Sequence, residues 1–382
     1  MSNFDRRNFL KVAGGAGTIG LTGLAGCSSG NGGGQETTTT TSGGDGDDGD
    51  DDDSDETTTT QQDPLNVGMV YALGGLGDKS FNDMANRGIK QAEDELGISF
   101  ANAQPSKQSE FSTFQRRYAQ STDPTYELVS CIGFLQQSAL AETAPNFPDQ
   151  KFMLVDEVVE EDNVANYVFK EHEGSFQVGH LAGLLSTQSF SAGAGSTSAD
   201  STTLGFVGGV ESGLIKKFQA GFEAGAKYAD DSMEVSVAYT GSFSDPAAGK
   251  EAALSMYDSG ADVVYHAAGG TGLGVFQAAQ EQGKFAIGVD ADQSKTESKF
   301  ADVILASMVK RVDTAVYTAV KSVVEDTFEG ETNTLGLEEN GVECVYGAEL
   351  GSEIPEDVKS AVADSREAII NGDITVPTEP QN

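Results

Sequence analysis

The chain has 382 residues, with 60 Asp and Glu against 23 Lys and Arg, a formal net charge of -37. Residues 1–64 hold 12 of those acids and 3 of the bases, so 48 and 20 remain for the rest, and the acidity is spread over the body of the protein. Such a surface repels nucleic-acid phosphates and excludes nucleic acid as a partner; it suits a protein kept soluble at very high salt, where screening within about 3 Å at 1 M removes the self-repulsion.

The N-terminus reads as an address. MSNFDRRNFLKVAGG carries paired Arg6 and Arg7 followed by Phe9 and Leu10, which resembles a twin-arginine export signal. The apolar segment VAGGAGTIGLTGLAG is too short and too rich in glycine for a membrane-spanning helix and reads as a signal core. It stops at Leu24-Ala25-Gly26-Cys27, which resembles a lipobox with Cys27 as the lipidated residue. Residues 1–27 are therefore expected to be signal, and the mature chain to be lipid-anchored on the extracytoplasmic face of the cell membrane. Residues 28–63, built of Gly, Thr and Asp, cannot bury enough apolar surface to offset chain entropy and are expected to form a disordered tether.

From Pro64 onward, short β-branched or apolar runs alternate with stretches of 3.6-residue period. NVGMVYAL reads as a strand. FNDMANRGIKQAEDELG reads as a helix, with Phe81, Met84, Ala85, Gly88, Ile89, Ala92 and Leu96 on one face. ISFANA, a helix near 110–121, the strand YELVSCIG, a helix near 137–144, and the strands KFMLVD and NYVFK follow. EGSFQVGHLAGLLSTQ reads as a helix with a small-residue face, and SAGAGSTSADSTT as a loop. The alternation then restarts with TLGFVGG and continues through EVSVAYTG, DVVYHAAGG, FAIGVD and DVILASMV, each followed by a helical pattern; GVECVYGAELGSEI and a terminal helix close the chain. Strand–helix alternation predicts parallel sheets covered on both faces, and two successive series predict an α/β protein of two similar lobes. Ligands of open α/β sheets bind beyond the carboxyl ends of the strands, which here would face each other across a cleft.

The turn after the first strand, LGGLGDKSFN, is not a phosphate loop by spacing. Asp78 stands where a P-loop has the glycine before its lysine, and glycines at 74, 75 and 77 miss the dinucleotide pattern. Asp78 or Ser80 suits a helix cap. Phe81 and Asn82 behind them suit stacking on a planar ring and hydrogen-bonding to its edge. Other strand ends carry Asp156, Phe243, the glycines of HAAGGTGLG, Asp290 with Asp292 and Gln293, and Lys310. Carboxylates at a cleft edge suit sugar hydroxyls, each being an acceptor for two O–H donors. Taken singly, each of these residues is explained as a cap or a solvated loop charge; together they share one topological edge. His172, His180 and His266 lack metal-ligand spacing and there is no nucleophile-elbow sequence, so no metal, cofactor or catalytic residue is expected. Cys131 and Cys344 read as small buried hydrophobes, with a disulfide between them left open.

GGLGDKSFNDMANRGIKQAEDELG, GFVGGVESGLIKKFQAGFEAGAK, GSFSDPAAGKEAA, HAAGGTGLGVFQAA, GVDADQ and SMVKRVDTAVY, in that order, resemble the basic membrane protein family of lipoproteins, the purine-nucleoside-receptor type of ABC-transporter substrate-binding protein. The resemblance spans about residues 65–330. It implies a two-lobed periplasmic-binding-protein fold of the first type, with residues 64–170 and about 308–338 in one lobe and 171–307 and about 339–382 in the other. It implies a nucleobase stacked between Phe81 and Phe243 and hydrogen-bonded by Asn82. It implies a ribose held by Asp156 and Asp290 with Gly270 and Lys310 nearby. A membrane permease as partner and a monomeric state are expected with it. One position departs: where the family reads V-[ST]-D at the end of the first strand, this chain has Val70-Tyr71-Ala72, and Tyr71 or Asp78 substitutes only if the loop geometry differs. The alternatives to transport are a receptor that senses without transporting, and a nucleoside or sugar hydrolase using two carboxylates.

Overall fold

The computed structural model describes residues 64–381; the expected export signal, Cys27 and the expected tether lie outside the described residues. In the first lobe, β1 (Asn66–Val70) leads through the glycine turn into α1 (Phe81–Leu96), then β2 (Ser99–Ala103), α2 (Phe111–Ala119), β3 (Leu128–Cys131), α3 (Gln137–Thr143), β4 (Lys151–Val155) and β5 (Val164–Phe169). The chain crosses into the second lobe with α4 (Glu171–Ser186) and a small antiparallel hairpin, β6 (Ser191–Ala192) and β7 (Gly195–Ser196). That hairpin lies in the stretch expected to be a plain loop. The second series runs β8 (Thr203–Gly208), α5 (Gly213–Ala229), β9 (Glu234–Tyr239), α6 (Pro246–Asp258), β10 (Val263–Ala267), α7 (Gly272–Gln282), β11 (Phe285–Asp290), α8 (Gln293–Thr296) and β12 (Ile304–Lys310). The chain then returns with α9 (Val312–Val324) and β13 (Thr332–Leu335), and crosses a third time to β14 (Val342–Tyr346) and α10 (Glu356–Ile370).

The first sheet has the order β13-β5-β4-β3-β1-β2 and is parallel throughout; the second has the order β14-β12-β11-β10-β8-β9. The two-lobed α/β architecture is as expected, with two differences. β13 completes the first sheet beside β5, yet TNTL has a polar face and an exposed edge and gives no apolar signal. β14 runs antiparallel to β12, so the second sheet is not purely parallel. The expected handover near residue 308 falls inside β12, which stays in the second sheet to Lys310; α9, from Val312, packs on α1.

Strands β10, β11 and β12 are buried along their whole length, the mark of a sheet covered on both faces. The small-residue face of α4 has a specific partner. A Cβ at Gly179 would collide with the Phe222 carbonyl of α5, and one at Gly221 or Gly225 with the His172 or Phe176 carbonyl of α4. The two helix backbones therefore touch, which glycine alone permits. Cys131 lies in the first sheet and Cys344 in the second, and both are free thiols.

Candidate functional site

The carboxyl ends of β1, β3, β4, β8, β10, β11 and β12 surround one cavity of about 670 Å³ including its mouth. Phe81, Asn82, Asp156, Phe243, Asp290 and Lys310 all line it. Gly270 does not: the lining glycine is its neighbour Gly269, and Gly270 sits beside the Phe243 carbonyl and Asp78 at the seam between the lobes.

The turn that begins the site is built from three glycines with positive φ, 102° at Gly74, 64° at Gly75 and 95° at Gly77. Several of its N–H groups are already taken by acceptors of the chain itself. Gln104 Oε1 accepts from Leu76 at 2.9 Å, and Asp83 from Gly77 at 2.8 Å and Lys79 at 3.1 Å. The Asp78 carboxylate accepts from Ser80, Asn82 and Asp83 at 3.0, 2.9 and 3.1 Å. Asp78, and not Ser80, thus caps α1. Two acidic side chains fill the place a phosphate would need.

Behind the turn, Asn82 is buried and its Oδ1 accepts from the Ala72 N–H at 2.9 Å. Its amide N–H₂ is left for the cavity, with no protein acceptor among the described residues. Ala72 is in the cavity wall, whereas Tyr71 points the other way and donates to Asn86 at 3.0 Å. Of the two residues placed to substitute at this end, Asp78 lines the cavity and Tyr71 does not.

At the end of β12 an ion cluster forms on Lys310, which is 1% exposed. Its Nζ lies 2.7 and 2.8 Å from the two oxygens of Asp156 and 3.3 Å from Glu171 Oε1. The rings of Phe81, Phe169 and Phe218 stand 5.1, 5.1 and 5.5 Å from it. Burial pulls the Lys310 pKa down, but Asp156, Glu171 and Asp290 more than offset it, and the ammonium is held above its ordinary range. Among the described residues two of its three N–H bonds are used, which leaves one for a ligand. Asp290 is buried; its Oδ2 accepts from Ser80 Oγ at 2.5 Å and its Oδ1 is free among the described residues. Asp156 and Asp290 share a backbone peculiarity: both have φ in the left-handed region, 75° and 64°, at corresponding strand ends. Strained non-glycine backbone of this kind concentrates at ligand sites.

Burial raises the Glu171 carboxyl from its usual 4.5 to about 7, against the pull of Lys310, and raises Asp290 from 3.8 to about 6. The folded state therefore holds these protons more tightly than the unfolded chain. The stability tied to them is full below the ordinary carboxyl values and is lost as pH rises towards 6 and 7. Unfolding free energy, measured by urea at fixed KCl, is expected to fall from about pH 5 to about pH 7.5. Glu171→Gln should flatten that fall; an identical slope in the variant would show that Glu171 does not titrate in this window.

Sequence reasoning missed Glu171, Phe134 and Phe218. Glu171 looks like a first-turn acid at a helix start. Phe218 looks like ordinary core in α5. Phe134 follows β3 at the same edge as the residues that were found, and its position alone was signal enough. Its ring meets Phe243 edge to face, centroids 6.5 Å apart at 82°. Phe243 in turn rests on Gly209, where a Cβ would strike its ring. Gly209→Ala is expected to push Phe243 into the cavity and weaken ligand binding about 10-fold with little change in melting temperature, consistent with a ring contact of about 1–1.5 kcal/mol; unchanged affinity on titration would show that Phe243 has room elsewhere.

Residues 65–379 match the model of the Bmp family, described as ABC transporter substrate-binding protein PnrA-like. A CD4+ T-cell-stimulating antigen of Listeria innocua is 34% identical over 334 residues, covering 82% of this chain and 88% of the relative. The ABC transporter nucleoside-binding protein BmpA of Lactococcus lactis is 32% identical over 335 residues, covering 82% and 90%. An ABC transporter solute-binding protein of Aeropyrum pernix, solved by crystallography, superposes with a TM-score of 0.74 at 30% identity, covering 84% of this chain and 94% of its own.

Proposed function

This chain belongs to the Bmp family of PnrA-like ABC transporter substrate-binding proteins, and from that premise we propose that it captures a nucleoside, a purine nucleoside first, between its lobes and delivers it to a membrane permease. The observation that carries the reading is the mixed wall of the cavity. The rings of Phe81, Phe134, Phe218 and Phe243 suit a flat ring, and Asp290 Oδ1 and one N–H of Lys310 suit hydroxyls. Asn82 supplies an amide donor at the ring edge, and Asp78 a carboxylate in place of one at position 72. The nucleoside-binding name of the Lactococcus relative points the same way. Asp156, Glu171 and Asp290 outnumber Lys310, so a phosphorylated ligand meets net repulsion. Export by the twin-arginine route, a lipid on Cys27, a monomeric state and adaptation to molar salt belong to the same proposal, on the residues that suggest them. The hydrolase alternative is the weaker one, because Asp156 is ion-paired with Lys310 and donates no proton while it stays so.

The test is isothermal titration of the full chain in molar KCl, after removal of any co-purified ligand. The panel holds purine and pyrimidine nucleosides, free bases, ribose and nucleotides. A purine nucleoside is expected to bind tightly, the matching nucleotide at least 10-fold more weakly, and no product to form during incubation. No binding by folded protein anywhere in the panel would overturn the nucleoside reading, and product formation would favour the hydrolase.

A further inference from the structure

A second set of contacts joins the lobes beside the cavity. On the first lobe they converge on Lys79 and Ser80, where Lys79 is turned into the left-handed region at φ 55°. The Lys79 carbonyl accepts from Gln293 Nε2 and from Thr296 Oγ1, each at 3.2 Å. Ser80 Oγ reaches Asp290 Oδ2 at 2.5 Å and the Val289 carbonyl at 3.3 Å. Gln293 and Thr296 do not line the cavity.

Gln293 is 1% exposed and its amide has one orientation available. Oε1 accepts from the Val289 N–H at 2.8 Å and lies 2.9 Å from His266 Nε2. Burial pushes His266 down to about 4, so the ring is neutral and its one proton sits on Nε2, facing that oxygen. The Gln293 backbone is tied in turn, donating to Ser307 Oγ at 3.0 Å. The second lobe thus fixes the oxygen inward and aims the N–H₂ across the cleft at Lys79. An amide held this way is pre-organised for a bond that exists only when the lobes are together.

We propose that Gln293, oriented by His266 and assisted by Thr296, is a closure latch: a positioning residue that stabilises the closed state of the ligand-free chain and slows release of bound ligand. The proposal rests on the capture reading only for the second of those effects. A contact made in the closed state alone raises the closed fraction, and apparent affinity rises with that fraction. One net hydrogen bond corresponds to about a 2- to 10-fold change in the equilibrium.

Small-angle X-ray scattering of the ligand-free full chain in molar KCl, with stopped-flow release of inosine, tests it. Gln293→Ala and Thr296→Val are each expected to enlarge the ligand-free radius of gyration and to speed inosine release about 2- to 10-fold, with the association rate unchanged. Thr296 is exposed, so its variant decides the matter should Gln293→Ala fail to fold. Loss of melting temperature without either change would mark Gln293 as merely structural. Variants that scatter and release as the wild type does overturn the latch. Should the wild type bind no inosine, the nucleoside reading fails by itself and the scattering still judges the latch.

Discussion

Lys310→Met is expected to destabilise the protein by about 3–5 kcal/mol, the cost of breaking a buried ion pair from one side. The substitution preserves most of the side-chain volume and the contact with the rings of Phe81, Phe169 and Phe218, so packing is not the main loss. What it removes is, among the described residues, the only cation touching Asp156 and the nearest one to Glu171, both buried. Lys217 stands 3.9 Å from the far oxygen of Glu171 on a partly exposed helix face, too far and too screened to replace it. Each carboxyl would then take up a proton or draw in water. Thermal or urea unfolding in molar KCl reads the loss directly. Because the cost comes from stranded acids, Lys310→Met combined with Asp156→Asn and Glu171→Gln should recover much of it. A triple variant no more stable than the single one would mean the lysine stem, and not its charge, holds the cluster.

The second large effect is on affinity. Phe81→Ala should weaken nucleoside binding by about 10- to 100-fold, since stacking on a base contributes roughly 1–3 kcal/mol. Phe81 is half-buried and follows the helix cap, so the fold should survive its truncation. The same ring stands 5.1 Å from Lys310, and losing it frees the ammonium to shift on Asp156. Asp290→Ala removes an acceptor for a sugar hydroxyl and should weaken the nucleoside about 10-fold or more while sparing a free base. Titration of both variants against one nucleoside and its base separates these roles. Unchanged affinity in both variants would sink the site assignment.

Much of the fold was legible because its signals are local. β-Branched runs, the apolar stripe of α1 and the small-residue face of α4 each declare themselves within about a dozen residues. The exceptions follow from context. TNTL becomes a strand because β5 offers it an edge, and β14 takes its antiparallel direction from the crossing that precedes it, neither of which its own residues announce. The candidate cavity was legible where strand ends could be counted: Phe81, Asn82, Asp156, Phe243, Asp290 and Lys310 all reach it. Gly270 was displaced by one position, because a glycine-rich turn gives no register until its neighbours fix it.

By itself the sequence determined the acidic body, the alternation of strand and helix, and the ring-and-carboxylate chemistry at the strand ends, since charge, period and residue type are properties of short stretches. Only the tertiary structure decided which charges meet. Lys310 lies 154 positions from Asp156 and 139 from Glu171, and Ser80 lies 210 from Asp290. Residues so far apart in the chain carry no mutual signal in a single sequence. Their ion pairs and hydrogen bonds arise because two lobes, each folded on its own period, bring their strand ends to one cleft.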